Sequence, residues 1–274
     1  MMTALPLAIV GPGRLGRSAA KLLTRRGVQF ALVGRGQPVP QARTTWLTVA
    51  DRDIESAAAA VPAGGVLLHA SGARSHEILR PHAVAGSLHP LMTFPGPELA
   101  GPVDPLLQCP CCLRVRTTAI PAAVAGDDPA IEAALELAAS LGFDAVRVAG
   151  DRALYHAAAV TAGNFTTVLM VEAARMLAAA GVGEAEARAL LGPLAISSVQ
   201  NAIVHGAEAL TGPAARGDAS TVQQHLDALK SLDPKLHTYY AANMKAAERV
   251  ASGRGSLHVL SSNRSGPPPS TCSS

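Results

Sequence analysis

From Leu5 to Val10 the chain is apolar without interruption, then reads Gly11-Pro12-Gly13-Arg14-Leu15-Gly16 and continues from Ser18 to Arg26 in Ala, Lys and Leu. A short apolar run, a glycine turn and a helix-forming stretch predict strand, turn and helix. Gly27 stops that helix, and Val28 to Val33 supplies a second β-rich run ending at Gly34-Arg35. Together they make a βαβ unit close to the ~30 residues such a unit takes. Further strands are expected at Trp46 to Val49, Gly65 to His69 and Gly86 to His89, with a helix from Ile54 to Val61 after the first of these. Strands alternating with helices imply an α/β fold with a parallel, doubly wound sheet.

The pattern then changes twice. From Leu91 to Thr118 the residues Pro95, Pro97, Pro102, Pro105 and Pro110 prevent any long helix, so this stretch is expected to be irregular connection. Ile120 to Ala125 and Ala145 to Val148 are strand candidates on either side of a helix from Asp128 to Leu141 opened by Pro129. Beyond Gly150 the period is helical: His156 to Ala180, Glu184 to His205 and Ser220 to Val250, with breaks at 181–183 and 211–218. The organisation expected is therefore a Rossmann-type domain over 1–150, an all-α domain over 151–262 and a Ser-, Gly- and Pro-rich disordered tail over 263–274.

Composition narrows the partners. With 274 residues, 49% hydrophobic and 16% charged, the chain is long and apolar enough for two packed domains. The 23 Lys and Arg against 20 Asp and Glu leave +3, with no dense basic block, which argues against a general nucleic-acid binder despite a pI near 8.8. Mean hydropathy is +0.24, but much of it comes from alanine, and no stretch reaches the ~18 uninterrupted apolar residues of a spanning helix. The first residues carry no basic run and flow straight into the glycine turn, so the expectation is a cytoplasmic protein with a small-molecule partner.

The glycine turn carries the first chemistry. Gly11 permits the tight turn, Gly13 lets backbone N–H groups approach a pyrophosphate, and Gly16 allows the helix to pack close to the strand. The helix start then offers unpaired N–H groups and the positive end of its dipole to an anion, with Arg14 and Leu15 at that position. Three glycines alone would mark only a turn; the flanking strands and helix make it a nucleotide site. After the second strand an acidic residue would accept from a ribose 2′-OH, but Arg35 stands there, and a guanidinium suits a 2′-phosphate. NADP is thus expected over NAD. Ser71, after the His69-Ala70 strand end, is expected near the nicotinamide or its ribose, or else simply in a strand-ending turn.

Several strings then resemble one family. In order they are Gly11-Pro12-Gly13-Arg14-Leu15-Gly16, His69-Ala70-Ser71-Gly72, Gly86-Ser87-Leu88-His89-Pro90-Leu91, His156-Ala157-Ala158-Ala159 with Asn164 downstream, and Leu210-Thr211-Gly212-Pro213-Ala214-Ala215-Arg216-Gly217-Asp218. The chain resembles the Rossmann-like family with the domain of unknown function 2520, within the 6-phosphogluconate dehydrogenase-like group, which includes ketopantoate and pyrroline-5-carboxylate reductases. The resemblance implies an N-terminal NADP-binding domain, a helical C-terminal domain and a homodimer; it does not name a substrate. Several dehydrogenases of that group carry Lys-x-x-x-Asn on the first helix of the second domain. Asn164 stands in the asparagine place, but Val160 stands where the lysine would be.

Valine moves no proton, which turns attention to His156 on the same i, i+4, i+8 stripe as Val160 and Asn164. His156 titrates in a useful range, or else simply starts a helix at the domain border. His89 follows a sheet strand, where doubly wound folds bind ligands, or fixes the turn before Pro90 by a structural hydrogen bond. Asn164 in an apolar helical stretch is expected to be a buried amide in need of partners. His156, Asn164 and His89 are the candidate catalytic residues. Arg216 is a candidate for gripping a substrate carboxylate; alternatively Asp218 caps the next helix and Arg216 pairs locally or across a dimer interface. Cys109, Cys111 and Cys112 gather three soft ligands, but their spacing and the remote Cys272 do not match a structural zinc site, so no metal is expected.

The function expected is that of an NADP-dependent oxidoreductase acting on a small keto (2-ketoacid-like) or imine substrate in a cleft between the domains. The alternative is a non-catalytic NADP-binding sensor or assembly protein, which the missing lysine makes more than a formal rival.

Overall fold

The computed structural model describes residues 5–94 and 119–253 of the chain, which divides into two compact units, Met1–Thr167 and Val168–Ser274. The tail at 263–274 and all four cysteines fall outside the described residues, as does most of the proline-rich stretch.

The first unit holds seven strands: β1 (Leu5–Val10), β2 (Ala31–Val33), β3 (Ala42–Leu47), β4 (Val66–His69), β5 (Ala85–Pro90), β6 (Ile120–Gly126) and β7 (Phe143–Arg147). They form one sheet in the order β2-β1-β3-β4-β5-β6-β7. The pairs from β2 through β5 are parallel, with Val10 beside both Val33 and Leu47, and His69 beside Ser87. β6 runs antiparallel to β5, with Leu88 opposite Val124, so the sheet is not parallel throughout as expected. Apolar text gives a strand no direction; the connection does. An antiparallel neighbour does not need the crossover that a parallel one requires.

Helices cover both faces of this sheet, and consecutive strand residues serve opposite cores. Trp46 and Leu68 join Ile9, Leu88 and Val124 beneath α1 (Arg14–Arg25) and α3 (Asp128–Leu141). Their neighbours Leu47 and Leu67 join Ala85 beneath Ile54 and Ala58 of α2 (Ile54–Ala59). Two-sided burial explains why these strands read as continuous apolar runs. One further consequence is that the C-terminal ends of β1, β3, β4 and β5 lie along a single edge of the sheet, where the loops carrying the candidate residues begin.

Two helical stretches break where the sequence was read as continuous. The run expected from His156 to Ala180 is α4 (Arg152–Ala162) and α5 (Asn164–Ala179), separated at Gly163. Across these two helices, Arg152–Ala179 reaches a mean hydropathy of 1.2 in an 18-residue window, long and apolar enough by length and composition to cross a membrane. The average comes from Ala, Val and Leu, while Thr161, Asn164, Thr166 and Thr167 interrupt the run, so the stretch qualifies by mean hydropathy without the uninterrupted apolar run that the sequence reading looked for. The stretch expected from Ser220 to Val250 is α8 (Ala219–Leu232) and α9 (Pro234–Ser252). Pro234 has no N–H to continue α8 but suits the first turn of α9, which Asp233 caps by accepting from the Lys235 N–H at 2.8 Å. The second unit also contains α6 (Glu184–His205) and the short α7 (Pro213–Arg216).

The division between units falls at Thr167/Val168, not at the 150/151 border expected. The reason is local: α4 is tied to the sheet unit by Arg152, whose Nη2 donates to the Ser71 carbonyl at 2.8 Å, and by Tyr155, whose hydroxyl meets His89.

Candidate functional site

The three glycines of the first turn have three separable roles. Gly11 has φ +107°, and a Cβ there would meet Val49 at 2.8 Å and the Thr48 carbonyl carbon at 3.0 Å. Gly16 is buried in α1, where a Cβ would fall onto the Gly11 carbonyl oxygen and 2.7 Å from Thr48 Oγ1. Gly13 has an ordinary φ of −72° and nothing nearer to its virtual Cβ than the Thr48 carbonyl oxygen at 3.9 Å. Neither fold nor backbone conformation requires glycine at 13. The space beside it is left open at the start of α1, where N–H groups lack carbonyl partners.

Two residues that the sequence did not single out brace this turn. Thr48, just after β3, donates its hydroxyl to the Gly11 carbonyl at 2.7 Å, and its N–H bonds to the Val10 carbonyl at 2.8 Å. Arg17 Nε donates to the Pro12 carbonyl at 2.7 Å. A threonine one strand away in space carries no local signal in the text; only the β1–β3 pairing reveals it.

A cavity of about 670 Å³ opens beside the turn, lined by Gly11, Gly13, Gly34, Arg35, Thr48 and Asp53 among others. This falls within the size range of small-molecule and cofactor sites. Arg35 is exposed at its rim after β2 and forms no ion pair among the described residues. Gln37 accepts from the Gly34 N–H at 2.6 Å and shapes that rim. Arg14 and Leu15 do not line the cavity: Arg14 is exposed as the first residue of α1, and Leu15 packs partly against the core. The open glycine, the anion-ready helix start and the uncompensated arginine suit a pyrophosphate with an additional phosphate near the ribose.

Farther along the same sheet edge, the loops after β4 and β5 gather a second cluster. Ser71 is buried, and its hydroxyl closes the turn: it donates to Asp51 Oδ2 at 2.8 Å and accepts the Arg74 N–H at 3.0 Å. Its N–H donates to His69 Nδ1 at 3.1 Å. His89 Nδ1 shares a 2.7 Å hydrogen bond with Tyr155 Oη, and the two rings meet edge to face at 5.7 Å and 85°. His156 packs against the same imidazole at 6.0 Å and 75°. Gly72 makes this crowding possible, since a Cβ there would be 2.7 Å from His156 Cδ2 and 2.8 Å from His89 Cε1.

Burial, reinforced by the charge of Arg152, lowers the pKa of both His69 and His89 to about 4, against an opposing pull from Asp51. Both imidazoles are therefore neutral near pH 7. The Arg152 guanidinium lies 5.1 Å from the centre of the Tyr155 ring, and its Nε and Nη1 are buried without hydrogen-bond partners among the described residues.

The structure thus brings His89 and His156 together and adds Tyr155 and Arg152, which the sequence reading passed over. Asn164 is not a buried amide as expected; it is exposed at the first position of α5. The break at Gly163 takes it off the continuous stripe expected with His156. Arg216 is exposed at the end of α7, while Asp218 caps α8 through the Thr221 N–H at 3.1 Å and hydroxyl at 2.7 Å. The capping reading of Asp218 is therefore the one realised. Cys109, Cys111, Cys112 and Cys272 lie outside the described residues.

Sheet order, glycine turn and following helices define a Rossmann-type α/β chain continued by a helical unit. Residues 120–247 match the family described as Domain of unknown function (DUF2520), the family that the motifs of the sequence resemble. The match includes His156, Asn164 and the string from Thr211 to Asp218; the glycine turn and Ser87-Leu88-His89-Pro90 precede it. No curated protein matches the chain.

Solved structures share the fold. Protein TM1727 from Thermotoga maritima is 22% identical with a TM-score of 0.68, covering 90% of this chain and 98% of that one. Reductive aminase from Aspergillus terreus, in complex with NADPH and ethyl levulinate, is 15% identical with a TM-score of 0.61, covering 92% and 96%. Pyrroline carboxylate reductase from Plasmodium falciparum with NADP bound is 10% identical with a TM-score of 0.54, covering 92% and 100%.

Proposed function

We propose that this protein is an NADP-dependent oxidoreductase acting on a small keto (2-ketoacid-like) or imine substrate. The observation that carries the reading is the cavity beside Gly13, kept open at a residue where the fold itself tolerates a side chain and ending at Arg35. The His89 cluster lies three strands along the same edge, on the order of 15 Å from the glycine turn at normal strand spacing, a separation a dinucleotide can bridge. When bound, the reduced nicotinamide supplies the hydride, and the chain has to orient the substrate and handle one proton. His89 and His156 are the sequence candidates for that work, and the structure brings them together. Asn164 and Arg216 remain candidates for orienting the substrate and holding a carboxylate. That solved structures of the same fold hold NADPH or NADP supports the choice of cofactor.

Arg35→Ala is expected to weaken NADPH binding roughly ten- to a hundredfold while changing NADH binding little, the value of one charge-assisted contact to phosphate. Isothermal titration with both cofactors reads this difference, and equal losses would remove Arg35 from phosphate recognition. Oxidation of NADPH in the presence of keto acids and imines separates an enzyme from a sensor, which would bind the cofactor and leave it reduced.

The second half of the proposal is a homodimer formed through the helical unit. α6 buries only Ala187 and leaves Leu190, Leu194, Ile196 and Ile203 exposed. Large apolar side chains exposed in that number on one helix are normally covered. Sedimentation is expected to give twice the 27.9 kDa of the chain, and Leu194→Glu to shift the protein toward monomer. A monomeric wild-type protein would refute this.

A further inference from the structure

We propose that Tyr155 is the proton donor of the reaction and that His89 works behind it, returning a proton to the phenol after each turnover. The proposal rests on the oxidoreductase reading above and names the group that reading leaves open.

Geometry selects the pair. Tyr155 Oη and His89 Nδ1 are 2.7 Å apart, with the rings edge to face, so the phenol oxygen meets the imidazole at a nitrogen. Tyr155 sits in the first turn of α4, a position held by Asp151, which accepts from the Ala153 N–H at 2.7 Å and the Leu154 N–H at 3.2 Å. Burial raises the pKa of the phenol, and the Arg152 cation 5.1 Å from the ring centre acts against that rise as negative charge develops on the oxygen. Because Gly72 has no side chain, the opposite edge of the imidazole, Cε1 and Nε2, stays clear of a methyl group that would lie 2.8 and 3.0 Å away.

The other residues serve less well. Val160 carries no proton. His156 touches the His89 ring but forms no side-chain hydrogen bond among the described residues. His89, neutral near pH 7, is a poor acid by itself, yet a neutral imidazole can release a proton from one nitrogen as it accepts one at the other.

The proton balance follows. As the substrate carbon takes the hydride, the π electrons of its C=O or C=N bond move to the oxygen or nitrogen, which takes the proton from Tyr155 Oη. The phenolate takes a proton from His89 Nδ1 while Nε2 accepts one from water, and proton exchange with solvent restores the Nδ1–H tautomer before the next turnover. The substrate gains two electrons, the nicotinamide loses two, and the net proton comes from solvent.

The test uses the full chain, NADPH, and 2-oxobutanoate and 1-pyrroline as probe substrates. Tyr155→Phe is expected to lower kcat by about 100- to 1000-fold, the scale of a general acid, while the NADPH Kd from calorimetry stays within about twofold. In unliganded protein labelled with ¹⁵N-histidine, the same substitution should move the His89 Nδ1 resonance. His89→Ala should lower kcat comparably and recover part of it with added imidazole, which a merely structural defect would not do. An active wild type whose Tyr155→Phe variant keeps its kcat overturns the relay and leaves the oxidoreductase reading standing. So does an unmoved His89 resonance. A wild type that binds NADPH and oxidises it with neither probe removes the reading and the relay together.

Discussion

Gly13→Val is expected to leave the protein folded and unable to hold NADPH. The backbone at 13 is in a region every residue adopts, the site is exposed, and the nearest atom to a new Cβ is 3.9 Å away. Gly13 is the N-cap of α1 but makes no side-chain cap bond, so the cost in stability should be on the order of 1 kcal/mol, that of a less favourable N-cap residue. An isopropyl group would nevertheless fill the space through which a pyrophosphate approaches the N–H groups of α1, so affinity should fall more than about a hundredfold. Titration calorimetry and thermal unfolding on the same sample decide it. Undiminished affinity would place the cofactor elsewhere; lost affinity with a collapsed melting temperature would show that the residue belongs to the fold.

Gly16→Ala is expected to do the opposite, damaging the fold whether or not a cofactor is present. The added methyl would land on the Gly11 carbonyl oxygen and beside the Thr48 hydroxyl that holds it, so α1 must move away from β1 or Thr48 must release the turn. Overpacking against backbone atoms that cannot rotate aside costs about 3 kcal/mol, near the upper end of the usual range. For a chain of this length that is a drop in melting temperature on the order of 10 °C. Denaturant unfolding of the unliganded protein measures it directly, and an unchanged midpoint would mean that helix and strand are not closely packed there. The two variants together separate glycine kept for a ligand from glycine kept for packing, which the spacing G-x-G-x-x-G does not distinguish.

Much of the fold was legible because it rests on local periodicity. The strand Leu5–Val10, the helix Asp128–Leu141 and the helix Glu184–His205 have the bounds expected of them, each delimited by glycine, proline or an acidic start. The misreadings share a cause. At Gly163 and Pro234 a long helical period hid a break, because alanine-rich text keeps the same composition on both sides of it. The direction of β6 was invisible, since a strand's residues are the same read against either neighbour orientation. At the site, the glycine turn and Arg35 were readable as a contiguous βαβ pattern. Tyr155 was not, although it stands next to His156, because its significance depends on a histidine 66 positions earlier.

Residue order alone was enough to specify a βαβ start with an open glycine, an arginine in place of an acid after the second strand, and a helical second half. These features depend on neighbours within a few turns, where sequence spacing and spatial spacing coincide. Only the folded chain decided that Thr48 pins the turn, that Ser71 is taken up by Asp51, that Asn164 is exposed, and that His89 and Tyr155 share a hydrogen bond. Each of those depends on which strands pair and where α4 returns to the sheet edge, contacts whose closure is set by packing over the whole unit and not by the text on either side.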